Sequence, residues 1–285
     1  MKKVLFVLSM LLCLLLLSCS SDQENQIQDS KNYSQCDDAH YVLKKMNEKN
    51  PYSSVGVRHN LIVSNMINDL KMVPSRSNDS IIEYTAQIRQ AALLRIDSVL
   101  LENSAPDSCY NPLVQVYDSI IPAITVKTPE EIHVVEPRDL LRLSNNAQRL
   151  VTSIEEAIKD TTLTSTAKLN MLDELYDLAE TTLDGDEYEQ VAIILSVASN
   201  STVFWMEDVP SIIGEHRGNV LTGVVDDAVS YDVATVMVYI KSKAWLLTPP
   251  GLQLEVLTTM SASASAVAGI ARGISNVLGW IGSLF

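Results

Sequence analysis

Residues 165–205 read STAKLNMLDELYDLAETTLDGDEYEQVAIILSVASNSTVFW. Leu169, Leu172, Tyr176, Ala179 and Leu183 recur every three or four residues, the spacing that gathers apolar side chains on one face of a helix. Asp184-Gly185 ends that run, and Asp186 with Glu189 has the spacing of a new helix start. Tyr188, Val191, Leu195, Ala198, Thr202 and Trp205 then form a second stripe. Two consecutive amphipathic helices joined by a short connection point to a helical bundle. The same pattern extends both ways. Upstream, Leu140, Leu143, Ala147, Leu150, Ile154 and Ala157 form a stripe, and Thr128-Pro129-Glu130-Glu131 has capping-box spacing with proline at the first helical position. Further back, Val55, His59, Ile62, Met66 and Leu70 fall on one face, as do Ile88, Ala92, Arg95 and Val99. Downstream, Val220–Trp245 and Leu252–Leu284 read as two more helices flanking Pro249-Pro250. The fold class is therefore all-α: a multi-helix bundle with a buried apolar C-terminal helix.

The N-terminus reads MKKVLFVLSMLLCLLLLSCSSDQEN. Lys2 and Lys3 precede an apolar run from Val4 to Leu17 that is shorter than the roughly 20 residues a membrane span needs. Leu16-Leu17-Ser18-Cys19 resembles the bacterial lipobox. The resemblance implies a signal peptide over 1–18, cleavage before Cys19, and lipid (palmitate among its acyl chains) on that residue. Ser20 rather than aspartate follows, and Ser21-Asp22-Gln23-Glu24 is similar to the export signals of Bacteroidota surface lipoproteins. Together they imply the outer membrane and a surface-exposed address. Residues 19–36 are polar and read as a flexible tether, leaving 37–285 as a single α-helical domain.

Composition narrows the partners. The 285-residue chain carries 21 basic and 35 acidic side chains. Without residues 1–18 it loses Lys2 and Lys3, so its charge falls from −14 to −16. Such a chain is repelled by nucleic acid, and no nucleic-acid partner is expected. The expected partners are the membrane, through the N-terminal lipid, and an envelope protein or a small molecule. Of four cysteines, Cys13 leaves with the signal and Cys19 is acylated, so Cys36 and Cys109 remain. Outside the cytoplasm these two are expected to form a disulfide, closing a loop of roughly 73 residues and stabilising by about 4 kcal/mol. Two separate thiols are the alternative.

Asn50-Pro51-Tyr52-Ser53-Ser54-Val55-Gly56-Val57-Arg58-His59-Asn60 resembles N-P-[YF]-x-x-[VI]-G-x-x-H-N, a motif of uncharacterised Bacteroidota proteins in which it opens the first helix. It brings no activity with it. Physically, Pro51 suits a helix start and Gly56 permits another backbone to approach closely. His59 and Asn60 read either as a buried imidazole and amide bonding to a loop or as a ligand site.

Catalytic signatures are missing from the sequence. It has no G-x-S-x-G, H-E-x-x-H, Walker A or G-x-G-x-x-G pattern. His40, His59, His133 and His216 lack ligand spacing, so neither a metal nor a cofactor is expected. Asp184-Gly185-Asp186-Glu187 resembles half a calcium loop, but Glu189 stands where the sixth-position glycine belongs. Asp-Ser/Thr pairs ending at Ser80, Ser98, Ser119 and Thr161 resemble the Bacteroidota O-glycosylation sequon. The leading expectation is a lipid-anchored, non-enzymatic binding or interaction module. A second is a membrane-active or toxin-like protein using the nearly uncharged, small-residue C-terminus, where Gly269 and Gly273 form G-x-x-x-G. Arg272 in that segment, and Asp226, Asp227 and Asp232 in the helix before it, weigh against insertion. A third is a hydrolase with Glu215, His216 and the Asp226/Asp227 pair as first suspects.

Overall fold

The computed structural model describes residues 36–70, 78–103, 110–115, 143–209, 222–241, 245 and 247–282, with side chains described over a subset of these. Gln35–Phe285 forms one compact unit. The principal helices are α1 (Cys36–Lys49), α2 (Ser53–Leu70), α3 (Asn78–Glu102), α4 (Asn145–Lys159), α5 (Ser165–Thr182), α6 (Gly185–Val203), α7 (Thr222–Lys241) and α8 (Pro250–Gly282). Among the described residues there is no strand, and the protein is an all-α bundle.

The elements around the α4–α5 pair form for local reasons. The Ser144 hydroxyl accepts the Ala147 N–H at 3.3 Å and Thr164 accepts that of Ala167 at 3.2 Å, so each helix starts on a side-chain cap. Between them, Asp160 accepts both the N–H (2.9 Å) and hydroxyl (2.6 Å) of Thr162, which fixes the turn. The Thr162 hydroxyl is also the main reason the Asp160 carboxyl titrates below its ordinary range. Buried Lys168 donates its ammonium to the Ile158 carbonyl, neutralising the negative end of α4. Helix α6 starts two residues earlier than the Asp186/Glu189 spacing predicts: Asp184 rather than Asp186 is the N-cap, Gly185 is the first residue, at φ +49°, and Asp184 makes no side-chain cap bond.

The predicted stripes are largely the buried faces. Leu169, Leu172, Tyr176 and Ala179 of α5 and Ala147, Leu150, Ile154 and Ala157 of α4 are in the core. In α3 the register differs by one, because Ile96 is buried where Arg95 points outward. Helix α6 departs most from its stripe. Every residue from Val191 to Val203 is buried, because α1, α2, α4, α5 and α7 all pack on it. A helix enclosed by five neighbours has no solvent face, so its serines, threonine and asparagine are buried with its aliphatics.

Helix α8 is buried from Val256 to Gly269, as expected of a C-terminal core helix, and packs on α7, α2 and α3. Helices α2 and α7 each touch both α6 and α8 and lie between them. The small residues of α8 serve packing inside the protein. A Cβ placed on Gly269 would lie 2.1 Å from the Trp205 ring, and the Trp205 indole N–H donates to the Ser265 hydroxyl at 3.0 Å. The hydroxyls of Thr258, Thr259, Ser261 and Ser263 bond back to carbonyls three or four residues earlier, so α8 satisfies its own buried polar groups. Among the described residues, no helix is long and apolar enough to cross a membrane.

Candidate functional site

The N-P-Y-x-x-V-G-x-x-H-N segment is the turn between α1 and α2 plus the first two turns of α2. Pro51 sits in the turn, and the helix begins two residues later at Ser53. The segment docks along one side of α6. The Asn50 amide donates to the Ala192 carbonyl at 2.8 Å while its oxygen accepts the Tyr52 N–H at 2.8 Å. One turn on, the Gly56 N–H donates to the Ser196 hydroxyl at 3.0 Å. A further turn on, the Asn60 amide donates to the Asn200 carbonyl at 2.8 Å. Asn200 in turn donates to Asn47 of α1 at 3.0 Å. Gly56 is required by this contact, since a Cβ there would lie 2.2 Å from the Ser196 carbonyl oxygen. Asn60 therefore bonds to a helix backbone, not to a loop. A carbonyl within α6 is already used by the helix, and its second lone pair takes the bond from outside.

The turn is held from its other side by α5. The Tyr176 hydroxyl donates to the Lys49 carbonyl at 2.9 Å and lies 2.7 Å from the Tyr188 hydroxyl. Lys49 reaches Asp173 and Asp177, each at 2.6 Å. Burial, then the bond to Tyr188, raises the Tyr176 phenol above its ordinary range.

His59 faces away from α6 toward α7. Its Nδ1 lies 3.0 Å from the Asn60 side-chain oxygen, and its Nε2 lies 3.3 Å from Asp232 Oδ1. The other oxygen of Asp232 accepts the Ser201 hydroxyl from α6. His59, Asp232 and Ser201 are all fully buried. The Nε2–Oδ1 approach is off the line of a hydrogen bond, and neither atom has another hydrogen-bond partner among the described residues. The interaction is thus mainly Coulombic. Burial, the largest single influence, opposes the imidazolium, but the Asp232 carboxylate, the Asn60 side chain and the Ser261 backbone together outweigh it and lift the His59 pKa above the ordinary imidazole value.

The order of groups is serine, carboxylate, imidazole. A nucleophilic triad needs the imidazole next to the serine so that it can take the hydroxyl proton. Here the carboxylate stands between them. The arrangement holds one charge pair where three helices meet.

It also carries a pH signature. A group whose pKa is higher folded than unfolded binds more protons in the folded state. Its contribution is complete below the unfolded value, about 6.5 for histidine, and is lost as pH rises through the higher folded value. Urea melts between pH 6 and 9 should show stability falling more steeply for the natural protein than for His59→Gln. Parallel curves would refute the coupling.

On α2, Gly56 and Asn60 thus face α6 and His59 faces α7. Asp232 is the partner that pattern reading missed. Its signal was an acid in the middle of the apolar run of α7, since a buried carboxylate requires a partner. Cys19 and Cys109 lie outside the described residues, as do the side chain of Cys36, the tether, Glu215, His216 and the side chains of Asp226, Asp227 and Arg272. His40 pairs with Asp208 at 3.1 Å across the surface, and Asp208 belongs to a π-helical turn, Phe204–Asp208, that continues α6. That turn spreads three contacts: Trp205 to α8, Glu207 to the Ser165 hydroxyl of α5, and Asp208 to α1. Among the described residues no three His, Cys, Asp or Glu side chains cluster as metal ligands would. No protein-family model matches the chain, and no curated protein or solved structure matches it either.

Proposed function

We propose that this protein is a lipid-anchored lipoprotein of the outer membrane, exposed at its surface, whose helical body acts as a binding or interaction module. The observation that carries the reading of the body is the use made of Gly56, His59 and Asn60. All three are spent on packing α2 against α6 and α7, so the residues with the strongest sequence claim to a ligand site serve as internal joints. A body built this way presents helix surfaces and grooves to a partner. The reading of the anchor rests on Leu16-Leu17-Ser18-Cys19 and the acidic stretch after it.

The anchor is tested by metabolic labelling with an alkyne palmitate analogue and by cell fractionation. The natural protein should take up label and sediment with the outer membrane. Cys19→Ser should take up none and leave the membrane fraction. Label retained in Cys19→Ser would sink the proposal, because the acylated atom would then lie elsewhere. Photo-crosslinking from the exposed surface of the helical body in intact cells tests the interaction role: a discrete protein adduct is expected, and its absence from every probed face would count against a binding module.

A further inference from the structure

Helices α4 and α5 run antiparallel and leave a groove between them on the protein surface. Two hollows, of about 150 and 290 Å³, share Ser153, Leu175 and Leu178 and so form one channel. Arg149 lines one end; Glu156 and Glu174 line the other, beside Met171. Leu178 is 48% exposed and Met171 40% exposed, large apolar side chains standing in water. From Asn146 to Glu156 the groove is about 15 Å long at the helical rise, or close to three turns.

We infer that this groove receives an amphipathic helix of a partner protein, apolar on the face toward Leu175, Leu178 and Met171, with lysine or arginine at the end over Glu156 and Glu174 and an acidic residue at the end over Arg149. The inference rests on the interaction role proposed above and gives it a place. A valley between two helices is the seat a third helix takes, its apolar residues at i, i+3, i+4 and i+7 filling it. The charges select the occupant. Glu156 and Glu174 are both exposed where they line the groove, so that end repels an anionic lipid surface and favours a cationic end. The chain's overall charge of −14, or −16 without residues 1–18, likewise disfavours a second copy. Opposite charges at the two ends of the groove also fix which way round the occupant's own charges lie, and so give specificity.

The test uses purified full-length protein and two fluorescent 14-residue helical peptides with the same leucine face. One has lysines at one end and glutamates at the other; the second has glutamates at both ends. Anisotropy should show the first binding more tightly. Leu178→Glu, a change at an exposed position, should weaken it at least tenfold. The double variant Glu156→Lys/Glu174→Lys should reverse the preference, so that the all-glutamate peptide binds better. Binding untouched by Leu178→Glu, or a preference unmoved by the charge reversal, would overturn the proposal. So would a dimer in sedimentation velocity that Leu178→Glu dissociates, which would make a second copy the occupant, or vesicle flotation that the same change abolishes, which would make it lipid. A protein partner crosslinked in cells equally by natural and Leu178→Glu protein would overturn the groove while leaving the interaction role standing.

Discussion

Asp232→Ala should lower the stability of the protein by about 3–5 kcal/mol, the range for removing one partner of a buried pair. Two groups lose their partner at once. The Ser201 hydroxyl loses its acceptor, and His59 Nε2 loses the only charge within reach of it among the described residues. His59 is not obliged to stay charged. Without the carboxylate only desolvation acts strongly on it, and its pKa should fall below the ordinary value. The variant should therefore reverse the sign of the pH dependence. The natural protein loses stability as pH rises through the raised His59 value; Asp232→Ala gains stability as pH rises past the depressed one. Asp232→Asn separates the two contributions, since its amide oxygen can still accept from Ser201 but carries no charge. Chemical denaturation followed by circular dichroism at pH 5.5 and 8.5 measures both size and sign. A loss under about 1 kcal/mol, or an unchanged pH slope, would mean that His59 and Asp232 are not coupled as their 3.3 Å separation indicates.

Gly56→Ala should be the second severe change, although alanine is the better helix former by about 1 kcal/mol. The new methyl would lie 2.2 Å from the Ser196 carbonyl oxygen, 2.6 Å from the Asn200 amide nitrogen and 2.8 Å from the Ser196 carbonyl carbon. Two of these three atoms are backbone of a helix packed on all sides, so the obstruction cannot swing away. Helix α2 has to retreat from α6, which lengthens the Asn50, Gly56 and Asn60 bonds together. Overpacking of about 1–3 kcal/mol and weakening of bonds worth about 1 kcal/mol each outweigh the propensity gain. A net loss of about 2 kcal/mol should lower Tm by about 4–8 °C in a chain of this size. Gly251→Ala is the control: a Cβ there meets nothing within 4 Å, and its Tm should be unchanged or slightly higher. Equal Tm values for Gly56→Ala and Gly251→Ala would show that the two helices are not in contact at Gly56.

Much of this architecture was legible in the sequence, and the exceptions have physical causes. The stripes of α4 and α5 matched their buried faces because each helix is packed on one side and wet on the other. The α6 stripe marked only part of what is buried, because periodicity reports a boundary with water and α6 has none between Val191 and Val203. Gly56 could be read as a close approach, since a glycine inside a helix needs a steric reason. What it approaches could not be read, because Ser196 belongs to a helix remote in sequence. His59 was open between core and ligand site for the same cause: its partner sits on α7. In α3 the spacing of Ile88, Ala92, Arg95 and Val99 fitted a face equally well with Arg95 or Ile96, and only packing on α8 decides between them. The π-helical turn at Phe204–Asp208 left no sequence trace, because it arises from the three separate contacts that Trp205, Glu207 and Asp208 make.

The joints of α2 also dictate an order of assembly. The acceptors of Asn50, Gly56 and Asn60 lie 142, 140 and 140 residues further along the chain. The closure of α4 by Lys168, in contrast, spans 10 residues. A chain threaded out of a ribosome or across an envelope N-terminus first can finish its α4–α5 hairpin from local partners. It cannot satisfy the inner face of α2 until α6 has emerged, nor neutralise His59 until α7 has followed. Helix α2 therefore waits for partners made long after it, α6 first, then α7 and α8.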